Sequence, residues 1–241
     1  MEEIVPKNSS SFRWESELSA SFQQHGIAAF QRWFEREGFF GSITESTCSE
    51  GRADLVWARL RQAKETEALR RCASILQQPR SSRILVLLKQ NAVRTEYFLH
   101  EKTGITQGTL RRTLRELIRF GLVTEPEPKR FVLGQKLWFS DLEIYSFEFK
   151  LDNWKRALYQ ATRYRSFSHR VFVVLPLELS SVVKPHVDRF RLLNVGLVVH
   201  GRDGQSQQIF RPRKQAPPSR HKLLMALGML LERQVPLMVR G

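Results

Sequence analysis

The run Ser146-Phe147-Glu148-Phe149-Lys150-Leu151 constrains this chain more than any other stretch, because it sets an acid and a lysine two residues apart in a strand-like segment. Alternate side chains of a strand share a face, so Ile144, Ser146, Glu148 and Lys150 fall on one side and Tyr145, Phe147, Phe149 and Leu151 on the other. A helix-like segment holding Gln160-Ala161-Thr162-Arg163-Tyr164 follows, and then the apolar run Val171 to Pro176. This order predicts a βαβ crossover whose first strand is covered on both faces. An acid and a lysine inside such a strand need a reason, the alternative being an edge strand with one solvated face.

A second carboxylate stands in another β-rich segment, Gly51-Arg52-Ala53-Asp54-Leu55-Val56-Trp57. Two carboxylates from different strands can share one Mg²⁺, and a nearby lysine can stabilise developing phosphate charge. Gln160 and Tyr164, four residues apart, share a helical face and can both turn toward that end of the sheet. In this order the helix, the strand with Asp54, the strand with Glu148-x-Lys150, the helix with Gln160-x-x-x-Tyr164 and the further strand resemble the PD-(D/E)xK nuclease superfamily, in particular its RecB-like branch. The resemblance covers about residues 12–60 and 141–200. It implies a restriction endonuclease-like α/β fold, a mixed sheet flanked by helices. It further implies that Asp54 and Glu148 bind Mg²⁺, with Mn²⁺ able to substitute, that Lys150 is the catalytic lysine, and that Gln160 and Tyr164 support the site or touch DNA. Ala53-Asp54 stands where the family motif has Pro-Asp, so Asp54 is assigned by position. An acid of the first helix region also joins many such sites. Glu15, Glu17 and Glu45 are the candidates, and Glu17 is taken as the third metal ligand.

Asp54 and Glu148 stand 94 positions apart, too far for a loop, so a folded insert is expected over residues 63–137, with 1–62 and 138–241 forming one discontinuous domain. Within the insert, Arg83 to Lys89 and Arg94 to Lys102 read as helices. Thr106 reads as the N-cap of a helix from Gln107 to Phe120, ended by Gly121. Leu110, Leu114, Leu117 and Ile118 keep helical spacing, which leaves Arg111, Arg112, Arg115 and Arg119 largely on the other face. Leu122 to Thr124 and Arg130 to Leu133 read as a hairpin. The series resembles a winged helix-turn-helix domain of α+β type. The resemblance implies that the helix from Gln107 is the recognition element, with Thr106, Gln107, Thr109 and Arg111 reaching base edges and Arg112 or Arg115 meeting phosphate.

Charge agrees with a polyanionic partner. The 241 residues carry 39 Lys and Arg against 24 Asp and Glu, a formal net charge of +15. The excess falls in both expected lobes, with a net +5 from Lys150 to Arg170 and +4 from Lys102 to Arg130. Arginines interleave with Tyr159, Tyr164 and Phe167, as in a groove that tracks a nucleic-acid backbone. Cys48 and Cys72 are too few for a disulfide scaffold or a zinc site, and the six histidines lack metal-ligand spacing. With no membrane-length apolar run and no basic signal-peptide start, a cytoplasmic protein is expected. After a last strand near 194–200, the proline-broken basic stretch 211–218 leads to an amphipathic helix from Arg220 to Gln234, expected to pack on the nuclease core or to meet a partner.

The sequence therefore reads as a metal-dependent DNA endonuclease whose winged helix positions DNA, as in restriction, defence or transposition systems. Its partners would be DNA, a helicase or transposase subunit, or a second copy, with no membrane. A non-catalytic DNA-binding regulator that uses the nuclease fold as a docking platform is the alternative.

Overall fold

The computed structural model describes residues 11–26, 29–30, 39–48, 51–59, 69–135, 137 and 142–232. Along the chain come α1 (Glu15–Ser21), β1 (Phe39–Cys48), β2 (Gly51–Arg59), α2 (Ala73–Leu76), α3 (Pro79–Leu85) and β3 (Arg94–Thr95). Next are α4 (Glu96–Thr103), α5 (Gln107–Arg119), β4 (Val123–Glu127), β5 (Arg130–Leu133), β6 (Glu143–Phe149) and α6 (Trp154–Arg163). The described elements close with β7 (Arg170–Pro176), α7 (Ser180–Val183), α8 (Val187–Leu193), β8 (Gly196–His200), β9 (Ser206–Phe210) and α9 (Arg220–Glu232). They divide into two units: Met1–Glu37, Thr44–Trp57 and Glu143–Ala216 make the first, and Gly38–Ile43, Ala58–Leu142 and Pro217–Gly241 the second.

The architecture is α/β, built on a mixed six-stranded sheet in the order β1-β2-β6-β7-β8-β9. β6, β7 and β8 run parallel, and β9 returns antiparallel to β8. Every residue of β6 is buried, as expected for a strand with a helical crossover behind it. Its two faces meet different neighbours. Phe22 and Phe30 pack on the odd-numbered face, with ring centroids 5.4 Å and 5.3 Å from Phe147 and 5.1 Å between Phe30 and Tyr145. On the even-numbered face the Ser146 hydroxyl meets Ser168 at 2.5 Å, and Tyr164 reaches Glu148. α6 enters this arrangement because Asn153 caps it, accepting from the Arg156 N–H at 3.0 Å, and because Trp154, Ala157, Leu158 and Ala161 form one apolar stripe. At the start of β6, buried Glu143 accepts from the Tyr145 hydroxyl at 2.5 Å and pairs with Lys214 at 3.2 Å, which ties the stretch after β9 to the sheet.

In the second unit, α3 starts at Pro79 rather than Arg83. Proline at the first helical turn suits a position with no intrahelical N–H to donate, so the helix sits a turn earlier than the apolar run alone predicts. α4 ends on Gly104 in the left-handed region at φ 64, and α5 is followed by Gly121 at φ 70. α5 buries Leu110, Thr113, Leu114 and Leu117 and leaves Arg111, Arg112, Arg115 and Arg119 exposed. β3, β5 and β4 form an antiparallel three-stranded sheet in that order.

The C-terminal helix corrects the expected boundaries. α9 packs on α2 and α3, so the described residues 217–232 belong to the second unit and not to the sheet. Gly228 permits the approach, since a β-carbon there would lie 2.8 Å from the Ala73 carbonyl oxygen. Leu224, Leu227, Leu230 and Leu231 fill the contact. No helix among the described residues is long and apolar enough to cross a membrane.

Candidate functional site

The strand chemistry brings Asp54, Glu148, Lys150, Tyr164 and Glu15 together at the end of β6, all within the first unit. Asp54 projects from β2, and its Oδ2 accepts from the Phe149 N–H at 2.8 Å, which pins that carboxylate to the neighbouring strand. Glu148 is 1 % exposed. Its Oε2 accepts from the Tyr164 hydroxyl at 2.5 Å and its Oε1 lies 3.1 Å from Lys150 Nζ. Lys150 Nζ also donates to Glu15 Oε2 and to the Phe149 carbonyl, each at 2.9 Å. An ammonium has three protons to donate, so these three oxygens fix its aim.

Electrostatics follow from this geometry. Burial, and then the Asp54 charge, push the Glu148 carboxyl above its ordinary range, against the bonds from Tyr164 and Lys150. Burial pulls the Lys150 ammonium down, but Glu15, Glu148 and Asp54 together outweigh it and leave its pKa raised. Lys150 is thus cationic near neutrality, while two acids close enough to oppose one another's ionisation share the pocket.

Among the described residues, no three His, Cys, Asp or Glu side chains gather as a metal cage. Asp54 and Glu148, with Glu15 held on the same Lys150, offer carboxylate oxygens, a donor type that suits Mg²⁺, which binds through one or two carboxylates and keeps several waters, rather than zinc. Glu17 does not join them. Its carboxylate lies 2.8 Å from Arg202 and accepts from the Arg13 N–H at 2.9 Å, contacts that hold its pKa below the ordinary value. Glu15 is the first-helix acid that reaches the cluster, and the side chain of Glu45 lies outside the described residues. Gln160 lies on α6, and its buried Oε1 finds no hydrogen-bond partner among the described residues.

The residues expected to touch DNA lie at the start and on the exposed face of α5. Arg112 and Arg115 are exposed. Arg111 is held by Glu96, with Nε 2.8 Å from Oε1, a pairing that no local pattern in the sequence announces. The hydroxyl of Thr106 donates to Thr109 at 3.0 Å instead of capping the helix, which corrects its expected capping role. Gln107 is exposed beside them. Cys72 is buried, and burial raises its thiol pKa, which suits an inert core residue. Compared with protein-family models, with curated proteins and with solved structures, the chain finds no significant match in any of the three.

Proposed function

We propose that this protein is a metal-dependent deoxyribonuclease of the PD-(D/E)xK type, with a winged helix-turn-helix unit that positions its DNA. One observation carries the reading: Asp54 of β2 and Glu148 of β6, 94 positions apart in sequence, meet around Lys150 where β6 ends. A purely structural sheet has no use for two mutually repelling carboxylates there, one of them fully buried. The element order α3-β3-α4-α5-β4-β5 with its three-stranded sheet supports the winged-helix part.

In this reading Asp54 and Glu148 hold Mg²⁺, which when bound polarises the phosphate and activates water. Tyr164 fixes the rotamer of Glu148 through its hydroxyl, so the carboxylate needs no reorganisation when substrate arrives. Lys150 stabilises negative charge that develops on the phosphate, with Glu15 keeping the ammonium charged and aimed. The exposed arginines of α5 supply affinity for duplex phosphates, separate from the chemistry. The net charge of +15 supports a polyanionic substrate.

Incubation of the purified chain with linear, circular and single-stranded DNA in Mg²⁺, Mn²⁺ or EDTA tests the proposal. Metal-dependent strand breaks that vanish in the Lys150→Ala variant are expected. An equal lack of cleavage by both proteins, with partner proteins added, would leave the DNA-binding platform as the better account.

A further inference from the structure

Beside the arginine face of α5, the second unit carries an open groove of about 310 Å³ whose lining includes Glu96, Tyr97, Gln107, Arg111, Lys129 and Arg130. It runs between the starts of α4 and α5 and the turn joining β4 to β5. The walls are fastened to one another. The Glu96 N–H donates to the Lys129 carbonyl at 3.0 Å, Arg111 Nε donates to Glu96 Oε1 at 2.8 Å, and Thr95 caps α4 by accepting from the Phe98 N–H at 3.1 Å. The groove is therefore built before any ligand arrives.

Its chemistry is mixed in a particular way. Glu96 is neutralised by Arg111, and the Arg130 pair with Glu127 is an exposed i,i+3 contact of little strength; Glu125 accepts from the Lys129 N–H at 2.7 Å, so Lys129 and Arg130 give the rim two exposed ammonium and guanidinium donors rather than an excess of positive charge. Lys129 occupies the left-handed region at φ 61, where glycine or asparagine fits more easily, so a cation stands at the rim despite the backbone cost. Tyr97 is 72 % exposed and offers a flat apolar face. The Gln107 amide, exposed at the start of α5, offers one donor group and one acceptor. A stacking face, an amide able to meet a base edge and two exposed cationic donors complement a nucleotide. The volume, at the low end of the roughly 300–1,000 Å³ of ligand clefts, suits one such group.

We infer that this groove holds a single unpaired nucleotide, its base on Tyr97 and its phosphate at Lys129 and Arg130. A base inside a duplex has no free face to give, so the ligand is an unpaired nucleotide at a strand end or gap, or a free nucleotide. The inference deepens the nucleic-acid reading of this unit and is independent of hydrolysis at Asp54 and Glu148.

The test uses the full chain in EDTA and follows binding of a blunt duplex and of the same duplex carrying a short unpaired tail with 2-aminopurine, with adenosine monophosphate as competitor. The tail should tighten binding about tenfold, as expected for stacking one base on an aromatic side chain, and 2-aminopurine emission should be quenched. Both effects should be lost in Tyr97→Ala, kept in Tyr97→Phe and weakened in Lys129→Ala. Tyr97 and Lys129 are both exposed, so each variant leaves the core intact, which circular dichroism checks. Displacement of the tail alone by the mononucleotide would assign the groove to free nucleotides, and no displacement would assign it to strand ends. Equal binding of blunt and tailed duplex, with emission unquenched, overturns the groove while the nucleic-acid reading stands. Failure to bind every DNA and the mononucleotide overturns both.

Discussion

The acid–lysine cluster of the first unit and the arginine face of the second both concentrate charge, but they do so under opposite conditions. Glu148 is buried, and each charged member of its cluster is held by named partners within about 3 Å. Arg112 and Arg115 stand exposed on α5, with solvent as their screen. Buried, fixed charge suits chemistry, because donors aimed in a low dielectric act strongly on charge that develops in a reaction. Exposed charge suits affinity, because it binds a polyanion through counterion release and costs little to display. Under the proposed function this contrast makes substrate capture and bond breaking separable, and substitutions in either unit should expose that separation.

The sharpest test removes one charge from the buried cluster. Glu148→Gln and Asp54→Asn should each lower metal-dependent cleavage by about 10²–10³-fold or more, as loss of one preorganised electrostatic group does elsewhere, with DNA affinity nearly unchanged. Lys150→Ala should match that loss, but it also strands buried Glu148 without its cation, so its melting temperature should fall. The double variant Glu148→Gln, Lys150→Met should recover part of that stability and none of the cleavage. Thermal melts beside a cleavage assay separate the two effects.

The converse test lies on α5. Arg112→Ala with Arg115→Ala should weaken duplex binding about tenfold or more and reduce the slope of log K against log salt by roughly 0.9 for each phosphate that is no longer neutralised, while cleavage at saturating DNA persists. Adding Arg111→Ala exposes a different physics, since Arg111 neutralises Glu96 and helps build the neighbouring groove. That third change should lower stability as well as affinity. An unchanged salt slope would make this face a protein-docking surface.

Acid should distinguish the units in stability. His169 and His200, both in the first unit, are pushed down to about 4, mainly by burial. Neutral His169 Nδ1 accepts from the Ile144 N–H at 3.0 Å, and His200 sits between the Ser21 and Ser206 hydroxyls at 2.9 and 2.7 Å. The unfolded chain takes up these protons near pH 6.5 and the folded chain only near 4. Their contribution is therefore complete above about 6.5 and lost as pH falls toward 4. Glu148, with its raised pKa, works in the opposite sense and offsets part of the loss. Hydrogen exchange should show β7 and β8 losing protection in this window before α4 and α5.

Legibility in the sequence follows the range of the interaction. The alternation around Glu148 and the apolar stripe of α5 are local patterns, and both mark the elements that form. Element order alone points to Asp54, and the structure sets its carboxylate on the Phe149 N–H. Long-range partners stay silent. Nothing near Glu143 foretells Lys214, and the stripe of Leu224, Leu227, Leu230 and Leu231 declares an apolar face without naming α2 and α3 as its cover. Pro79 carries a usable signal for the start of α3.

The smallest expected effect concerns α1, where two acids two residues apart take different roles. On a helix such residues point some 200° apart, so only one of them can face the sheet end once Leu18 and Phe22 have fixed the rotation by their burial. That rotation brings Glu15 to Lys150 and sends Glu17 to Arg202. Glu15→Gln keeps a hydrogen-bond acceptor but removes the charge beside the ammonium, and kcat/KM should fall about tenfold. Glu17→Gln should leave cleavage within about twofold of the parent, because its ion pair is exposed and distant from the reacting atoms. A loss at Glu17 as large as that at Glu15 would mean that α1 turns on substrate binding, and that the buried cluster is assembled by DNA rather than waiting for it.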